Sequence, residues 1–253
     1  VWGDDDATGS YSFQVWDVPP PQDLALTHPT GASDKLVGSG SGNIETPGVE
    51  DRFMLDVEAG QTLYFDGLES PYTVKWNIFD SNYEPLINVN YDVASDLEAI
   101  TFDTAGTYMI QVWGDREGVG EYSFQIWDVP PPDRLELTLP DDAPEHLIGM
   151  GQGNIETPGV QDIYTLDVEA GQTLYFDALG SPYAVKWNVY DENDTPLVNV
   201  SYDVGSDIET IQFENGGTYT IKVWGGQDGV GEYSFQIWEV PPPDRLELTV
   251  PDD

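Results

Sequence analysis

Any chemistry in this chain must come from carboxylates. The chain has 253 residues, with 47 Asp or Glu, 8 Lys or Arg, a formal charge of −39 and no Cys. Without Cys there is no thiol nucleophile, no thiolate zinc site and no disulfide framework. Only two His are present, His28 and His146. The chain is internally repeated, and across the repeat these two align with Leu139 and Lys35, so neither recurs at its equivalent position. Nucleophilic or acid–base catalysis ordinarily draws on His, or on two carboxylates whose pKa values are pushed apart. Carboxylate pairs abound here only because carboxylates do. The sequence therefore reads as a chain that is not an enzyme.

Hard oxygen ligands suit Ca2+, and two loops carry them at alternate positions. One is Asp80-Ser81-Asn82-Tyr83-Glu84; the other is Asp191-Glu192-Asn193-Asp194. Asp80, Asn82, Asp191 and Asn193 are the metal-ligand candidates, and Ca2+ is the cofactor they would hold. Pro85 stands where a calcium loop of the EF-hand type would carry Gly. The competing reading is a hairpin turn closed by an Asx side chain on its own backbone. Further acidic loops hold Asp92, Asp96 and Glu98, matched by Asp203, Asp207 and Glu209, while Glu45, Asp51 and Asp66 could converge across strands. Trp76 and Trp113, with their counterparts Trp187 and Trp224, are the residues that could stack on a sugar ring. Trp76 shares a face with Val74 and Ile78 and so reads as core. Trp113 and Trp127 are out of phase with the apolar positions around them, and would cover each other across a closing hairpin or pack on prolines. Lys75 and Lys186 read as local salt-bridge partners. Asn193-Asp194-Thr195 and Asn199-Val200-Ser201 match the glycosylation sequon in one half only, and carry little weight.

The elements that would position these residues are set by the repeat. VWGDDDATGSYSFQVWDVPPP begins at Val1, VWGDREGVGEYSFQIWDVPPP at Val112 and VWGGQDGVGEYSFQIWEVPPP at Val223, at an offset of 111 residues both times. Asn43–Thr138 matches Asn154–Thr249 without a gap at more than two positions in three. A period this long fits one small domain per repeat. Residues 35–129 and 146–240 would each be a domain. Residues 1–18 would be the closing hairpin of a preceding, incomplete repeat. Residues 19–34 and 130–145 would be Pro-rich linkers, and 241–253 the start of the next. The chain would then be a window on a longer array; alternatively, the first hairpin completes a domain in a neighbouring molecule. Pro19–Pro21, Pro130–Pro132 and Pro241–Pro243 fix φ and remove donors, which makes short semi-rigid spacers. Leu135, Leu137 and Leu139 alternate, so part of the connector could pair as an edge strand on the next domain.

Within a unit, alternation of period two dominates. Phe53-Leu55-Val57, Leu63-Phe65, Val74-Trp76-Ile78, Leu86–Tyr91, Leu97–Phe102, Tyr108-Ile110-Val112 and Tyr122-Phe124-Ile126 read as strands separated by turn residues. About eight short strands at this spacing predict an all-β antiparallel sandwich. Aromatics are 12% of the chain, unlike a disordered acidic tail.

Five landmarks resemble the bacterial pre-peptidase C-terminal domain. They are G-N-I-E-T-P-G-V-E-D-R-F (Gly42–Phe53), V-E-A-G-Q-T-L-Y-F-D (Val57–Asp66), N-I-F-D-S-N-Y-E-P-L (Asn77–Leu86), A-G-T-Y-M-I-Q-V (Ala105–Val112) and G-V-G-E-Y-S-F-Q-I (Gly118–Ile126). They recur at Gly153–Tyr164, Val168–Asp177, Asn188–Leu197, Gly216–Val223 and Gly229–Ile237. The resemblance implies tandem jelly-roll-like β-sandwiches and an extracellular or cell-surface setting in a bacterium or archaeon.

The charge argues against nucleic acid and against anionic lipid, both of which need clustered Lys and Arg. No apolar run approaches the roughly 20 residues of a membrane-inserted helix, and the first residues do not read as a signal peptide. Acidity would keep near-identical domains from pairing wrongly, hold an array extended, or suit a saline habitat. The expected function is a structural segment of an extracellular stalk, fibre or filament for surface assembly or adhesion. Its partners would be other copies of the repeat. The alternative is a ligand-binding accessory module of a secreted enzyme such as a protease, for a cell-surface glycan, a collagen-like protein or a calcium-bridged partner.

Overall fold

A computed structural model describes residues 8–87, 89–198, 201–226 and 229–243. Each period closes a two-layer all-β sandwich. The first module contains β1 (Gln22–Leu24), β2 (Leu36–Ile44), β3 (Glu50–Val57), β4 (Thr62–Glu69), β5 (Val74–Phe79), β6 (Tyr91–Asp92), β7 (Leu97–Thr101), β8 (Gly106–Gly114) and β9 (Gly120–Asp128). The second repeats them as β10 (Asp133–Leu135), β11 (Leu147–Ile155), β12 (Gln161–Val168), β13 (Thr173–Gly180), β14 (Val185–Tyr190), β15 (Tyr202–Asp203), β16 (Ile208–Gln212), β17 (Gly217–Gly225) and β18 (Gly231–Glu239).

One sheet runs β1-β3-β8-β5-β6 and the other β2-β9-β4-β7. Every step along the chain changes sheet except β5 to β6, which is the jelly-roll path. The second module has the same two orders. The alternation of side chains explains the layering. Along β9, Tyr122, Phe124 and Ile126 are buried, while Ser123, Gln125 and Trp127 face the other way. Phe124 is the hub of the first core. Phe53 meets it edge-on at 5.2 Å and Trp76 at 5.1 Å between ring centroids. Burying each such side chain contributes roughly 1.5–3 kcal/mol.

Three expectations are corrected. The closing hairpin is not a hairpin: β8 and β9 lie in opposite sheets, joined by an arch over residues 114–120. A Cβ on Gly114 would stand 1.9 Å from the Gly118 carbonyl oxygen, so only glycine permits so tight an arch. Trp113 and Trp127 therefore do not cover each other across a ladder. The same reading at 1–18 finds no strand at residues 8–18, and residues 1–7 lie outside the described residues. Second, most of the connector belongs to the following sandwich. Gln22–Leu24 and Asp133–Leu135 pair in parallel with β3 and β12, as the alternating leucines suggested, and Leu24, Leu26, Leu135 and Leu137 pack on the cores. The free spacer shrinks to the three prolines; of 241–253, residues 244–253 lie outside the described residues. Third, the described residues of Leu86–Tyr91 do not make one strand: beside a bridge from Pro85 to Phe79 and a Leu86 N–H bond to the Ile78 carbonyl, only the two-residue β6 pairs there.

One strand, β2, carries no alternation of large apolar residues. Leu36-Val37-Gly38-Ser39-Gly40-Ser41-Gly42 pairs with β9, with one register shift between Leu36 and Gly38. A Cβ on Gly40 would sit 2.1 Å from Phe124 Cζ, and one on Gly42 would sit 2.4 Å from the Tyr122 hydroxyl. The strand is glycine-rich because the aromatics of β9 lie flat against its backbone.

Gly40→Ala should therefore destabilise the first module by about 1–3 kcal/mol through overpacking. Phe124→Leu, costly in the native background, should recover part of that loss in the double variant. Urea unfolding of the four proteins as a double-mutant cycle measures both.

Candidate functional site

The sandwich places the candidate ligand residues in turns, where the aspartates accept from their own loops. Asp80 Oδ1 accepts from the backbone amides of Asn82 (2.8 Å) and Glu84 (2.9 Å), and its Oδ2 accepts from Asn82 Nδ2 (3.2 Å). Asp191 Oδ1 likewise accepts from Asn193 N (2.9 Å) and Thr195 N (2.8 Å). The amide of Glu84, helped by Asn82, holds the Asp80 carboxyl below the usual carboxylate range, and those of Thr195 and Asn193 do the same for Asp191. These loops are Asx turns, and Tyr83 and Asp194 within them stand at positive φ. Among the described residues, no three His, Cys, Asp or Glu side chains gather as a metal site.

The other acidic positions are spent in the same way. Asp92 pairs with Lys75, and Asp203 with Lys186 at 2.5 Å. Asp96 accepts from the Tyr64 hydroxyl (2.7 Å) and Gly67 N (3.0 Å); Asp207 serves Tyr175 and Ala178 N. Nothing is described for the side chain of Glu98 or for Asn199 and Val200 of the second sequon. His28 Nε2 meets the Leu36 carbonyl at 2.8 Å, and His146 stands 3.9 Å from Glu239. Trp76 and Trp187 are core residues, as their phase indicated.

Glu45, Asp51 and Asp66 do not form one cluster. Asp66 takes the Trp127 indole N–H at 3.1 Å. Asp51 is buried and accepts from the Tyr122 hydroxyl at 2.6 Å, which ties β3 to β9 across the two sheets. Gly42 leaves the space for this pair. Burial raises the Asp51 pKa against the pull of the phenol, Glu45 adds to the rise, and the Tyr122 phenol is pushed up in turn. Asp162 and Tyr233 repeat the pair at 2.6 Å. There Tyr164 replaces Phe53 and adds a hydroxyl 2.9 Å from that of Tyr233; burial moves its own pKa to about 12. Each carboxylate meets a buried phenol from the opposite sheet, so each pair ties the two layers together as a structural clamp.

Two features are shaped to meet another molecule or module. On the first module, a cleft of about 440 Å³ lies over the β3-β8-β5 sheet, lined by Trp113, Gln111, Asn90, Glu50 and Phe79. In the second module Lys222 replaces Gln111. It pairs with Asp194 at 2.5 Å and lies over the Tyr190 ring at 4.6 Å. The two modules thus differ where the first has an open aromatic and amide surface.

The second feature is the junction. The turn Thr157-Pro158-Gly159 leads into β12, and it is seated against the first module. Gly159, at φ 83°, is so close that a Cβ would lie 2.9 Å from Val129 Cγ2 and 3.0 Å from Tyr64 Cβ. Thr157 is 4% exposed and Tyr64 is 6% exposed. No single sequence position announced this contact, although Thr-Pro-Gly recurs in both units.

No protein-family model matches the chain, and no curated protein does. Solved structures match it only at low identity and low structural similarity. A periplasmic inhibitor of g-type lysozyme from Aeromonas hydrophila, PliG, is 17% identical over 43% of this chain and 96% of its own, with a TM-score of 0.35. The CUB1-EGF-CUB2 domains of rat MASP-1 are 10% identical over 86% of this chain and 99% of theirs, with a TM-score of 0.22. The tandem CBM22 domains of Paenibacillus barcinonensis Xyn10C are 10% identical over 74% of this chain and 82% of theirs, with a TM-score of 0.22. Among the described residues, no helix is long and apolar enough to cross a membrane.

The raised pKa of Asp51 and Asp162 has a sign that can be measured. A carboxyl that binds its proton more tightly folded than unfolded adds stability as pH falls through its folded pKa, above the ordinary 3.8. Asp51→Asn with Asp162→Asn should remove that part of the pH dependence. Melting temperature measured from about pH 7 down to about pH 4 should rise more steeply in the native protein than in the variant.

Proposed function

We propose that this chain is a structural segment of a tandem-repeat extracellular protein, in which each jelly roll is one link of a stalk or filament. The observation that supports it best is the seated junction. Three prolines, with Thr157-Pro158-Gly159 packed on Tyr64 and Val129, leave little freedom between neighbouring links. The spent carboxylates point the same way, since they serve turns, strands and clamps. The resemblance to the pre-peptidase C-terminal domain favours a cell-surface setting. The acidity favours an array that repels its own copies sideways and stays dispersed.

A second reading rests on the Trp113 cleft. An aromatic face flanked by amides and a carboxylate is the surface that takes a sugar ring. On this reading the first module binds a glycan and the second, where Lys222 and Asp194 fill the equivalent ground, does not.

Two experiments separate the readings. Small-angle scattering should report a narrow, elongated distance distribution for the native chain. Val129→Glu, which puts a charge into the joint and leaves both cores intact, should broaden it while each module keeps its urea midpoint; an unchanged distribution would count against the stiff link. On a glycan array, retention lost on Trp113→Ala but kept on Trp224→Ala would favour the binding module.

A further inference from the structure

Each module has two ends, and the structure shows one pair of ends joined. At the acceptor end of the first module Tyr64 of β4 and Val129 beyond β9 meet the turn, with Trp127, the β9 partner of Tyr64, and Asp66, which takes the Trp127 indole N–H, beside them. The insert is the Thr-Pro-Gly turn of the second module. Joined, Tyr64 is 6% exposed and Asp66 3%. The same residues recur at the far end of the second module as Tyr175, Asp177, Trp238 and Val240. There Tyr175 and Asp177 are only part-buried, although Trp238 Nε1 still donates to Asp177 at 3.3 Å. The insert shows the converse: Thr157 and Pro158 are buried, whereas Thr46 and Pro47 are part-buried.

The near end of the first module repeats half of the contact. Val18 is the equivalent of Val129, and its Cγ2 would lie 3.0 Å from a Cβ on Gly48, as Val129 Cγ2 would lie 2.9 Å from one on Gly159. Gly48 and Gly159 share the same backbone, at φ 89° and 83°. So valine against turn glycine is a reproduced feature of the repeat, and the tyrosine of the preceding β4 is what the first turn lacks. Past Pro243 the sequence enters the repeat again: Asp244–Asp253 matches Asp133–Asp142 with Val250 in place of Leu139.

We propose that Tyr175, Asp177, Trp238 and Val240 form a docking surface for the Thr-Pro-Gly turn of a further copy of this module, joined through Pro241–Pro243. This rests on the stalk reading and gives it a mechanism: modules add by one standard joint, whose fit requires glycine in the turn and tyrosine on β4. Orientation is then passed from module to module, so the array extends as a regular rod.

The absence of Cys makes the joint testable. Tyr64 Cβ and a Cβ at Gly159 are 3.0 Å apart, about half an ångström inside the span of roughly 3.5–4.5 Å that a disulfide bridges. In the chain as it stands, Tyr64→Cys with Gly159→Cys should oxidise to an internal disulfide, with titratable thiol falling from two to none. The chain is then extended by a second copy of Ala143–Pro243, which completes the module begun at Asp244. In that protein Tyr175→Cys, paired with Cys at the new turn glycine, should close as readily. A second measurement avoids cysteine at the glycine: maleimide labelling of the single variant Tyr175→Cys should slow at least fivefold on extension. If the first pair closes and the second does not, or if labelling slows by less, the docking surface is refuted and the stalk reading survives. If neither pair closes, both fall together.

Discussion

The packing of β2 over the aromatic face of β9 is the constraint on which the rest of each module depends. β9 lies inside its sheet, hydrogen-bonded to β2 on one side and β4 on the other. Phe124 can serve as hub because Gly40 offers it bare backbone, and Tyr122 can reach Asp51 because Gly42 does. The two sheets are thus locked by a ring and by a buried hydrogen bond, both made possible by missing side chains. At the other end of the same strand, Trp127 holds Asp66 and Val129 meets the next module. One strand therefore sets core, clamp and joint in sequence.

Residues 8–18 show the same point by contrast. Tyr11-Ser12-Phe13-Gln14-Val15-Trp16 differs from Tyr122–Trp127 only at Val15. Yet it forms no strand and leaves Phe13 72% exposed, where Phe124 is fully buried. The alternation is identical and the neighbours are not. Strand preference describes a fit to a pleated, half-buried surface, and without flanking strands there is nothing to fit.

This also explains what the sequence disclosed. Strands whose inward residues are large were legible from alternation: Phe53-Leu55-Val57, Val74-Trp76-Ile78, Tyr122-Phe124-Ile126. So was the two-layer class, because turn signals recur between them. β2 was not legible, since its inward positions are glycine and carry no hydrophobic signal. The arch between β8 and β9 was misread because two alternating runs around glycines suit a hairpin and a sheet crossover equally. The parallel pairing of β1 was only half legible. Alternating leucines mark an edge strand, but its partner lies beyond the intervening β2. The candidate loops were correctly placed in turns. That Asp80 and Asp191 accept from the amides of their own loops depended on backbone direction, which side-chain type does not encode.

An acidic chain of this kind must dispose of its charge within the fold as well as outside it. Asp80, Asp96 and Asp207 answer turn or strand amides, Asp56 accepts from Thr107 across a ladder, and Asp92 and Asp203 take up lysines. Asp51, Asp66 and Asp162 are buried against Tyr122, Trp127 and Tyr233, and the other described carboxylates are at least partly exposed, where self-repulsion is felt over about 8–10 Å in ordinary salt. That range matters for a repeat. Near-identical modules share every edge and every face, so each could pair wrongly with its copies. A joint closed by apolar and aromatic contacts, between modules otherwise coated in like charge, favours end-to-end contact over side-to-side contact. On the proposed stalk reading, the charge acts as the selector and the Thr-Pro-Gly turn as the fastener. Raising salt would weaken only the first, so lateral association should appear before the joint is lost.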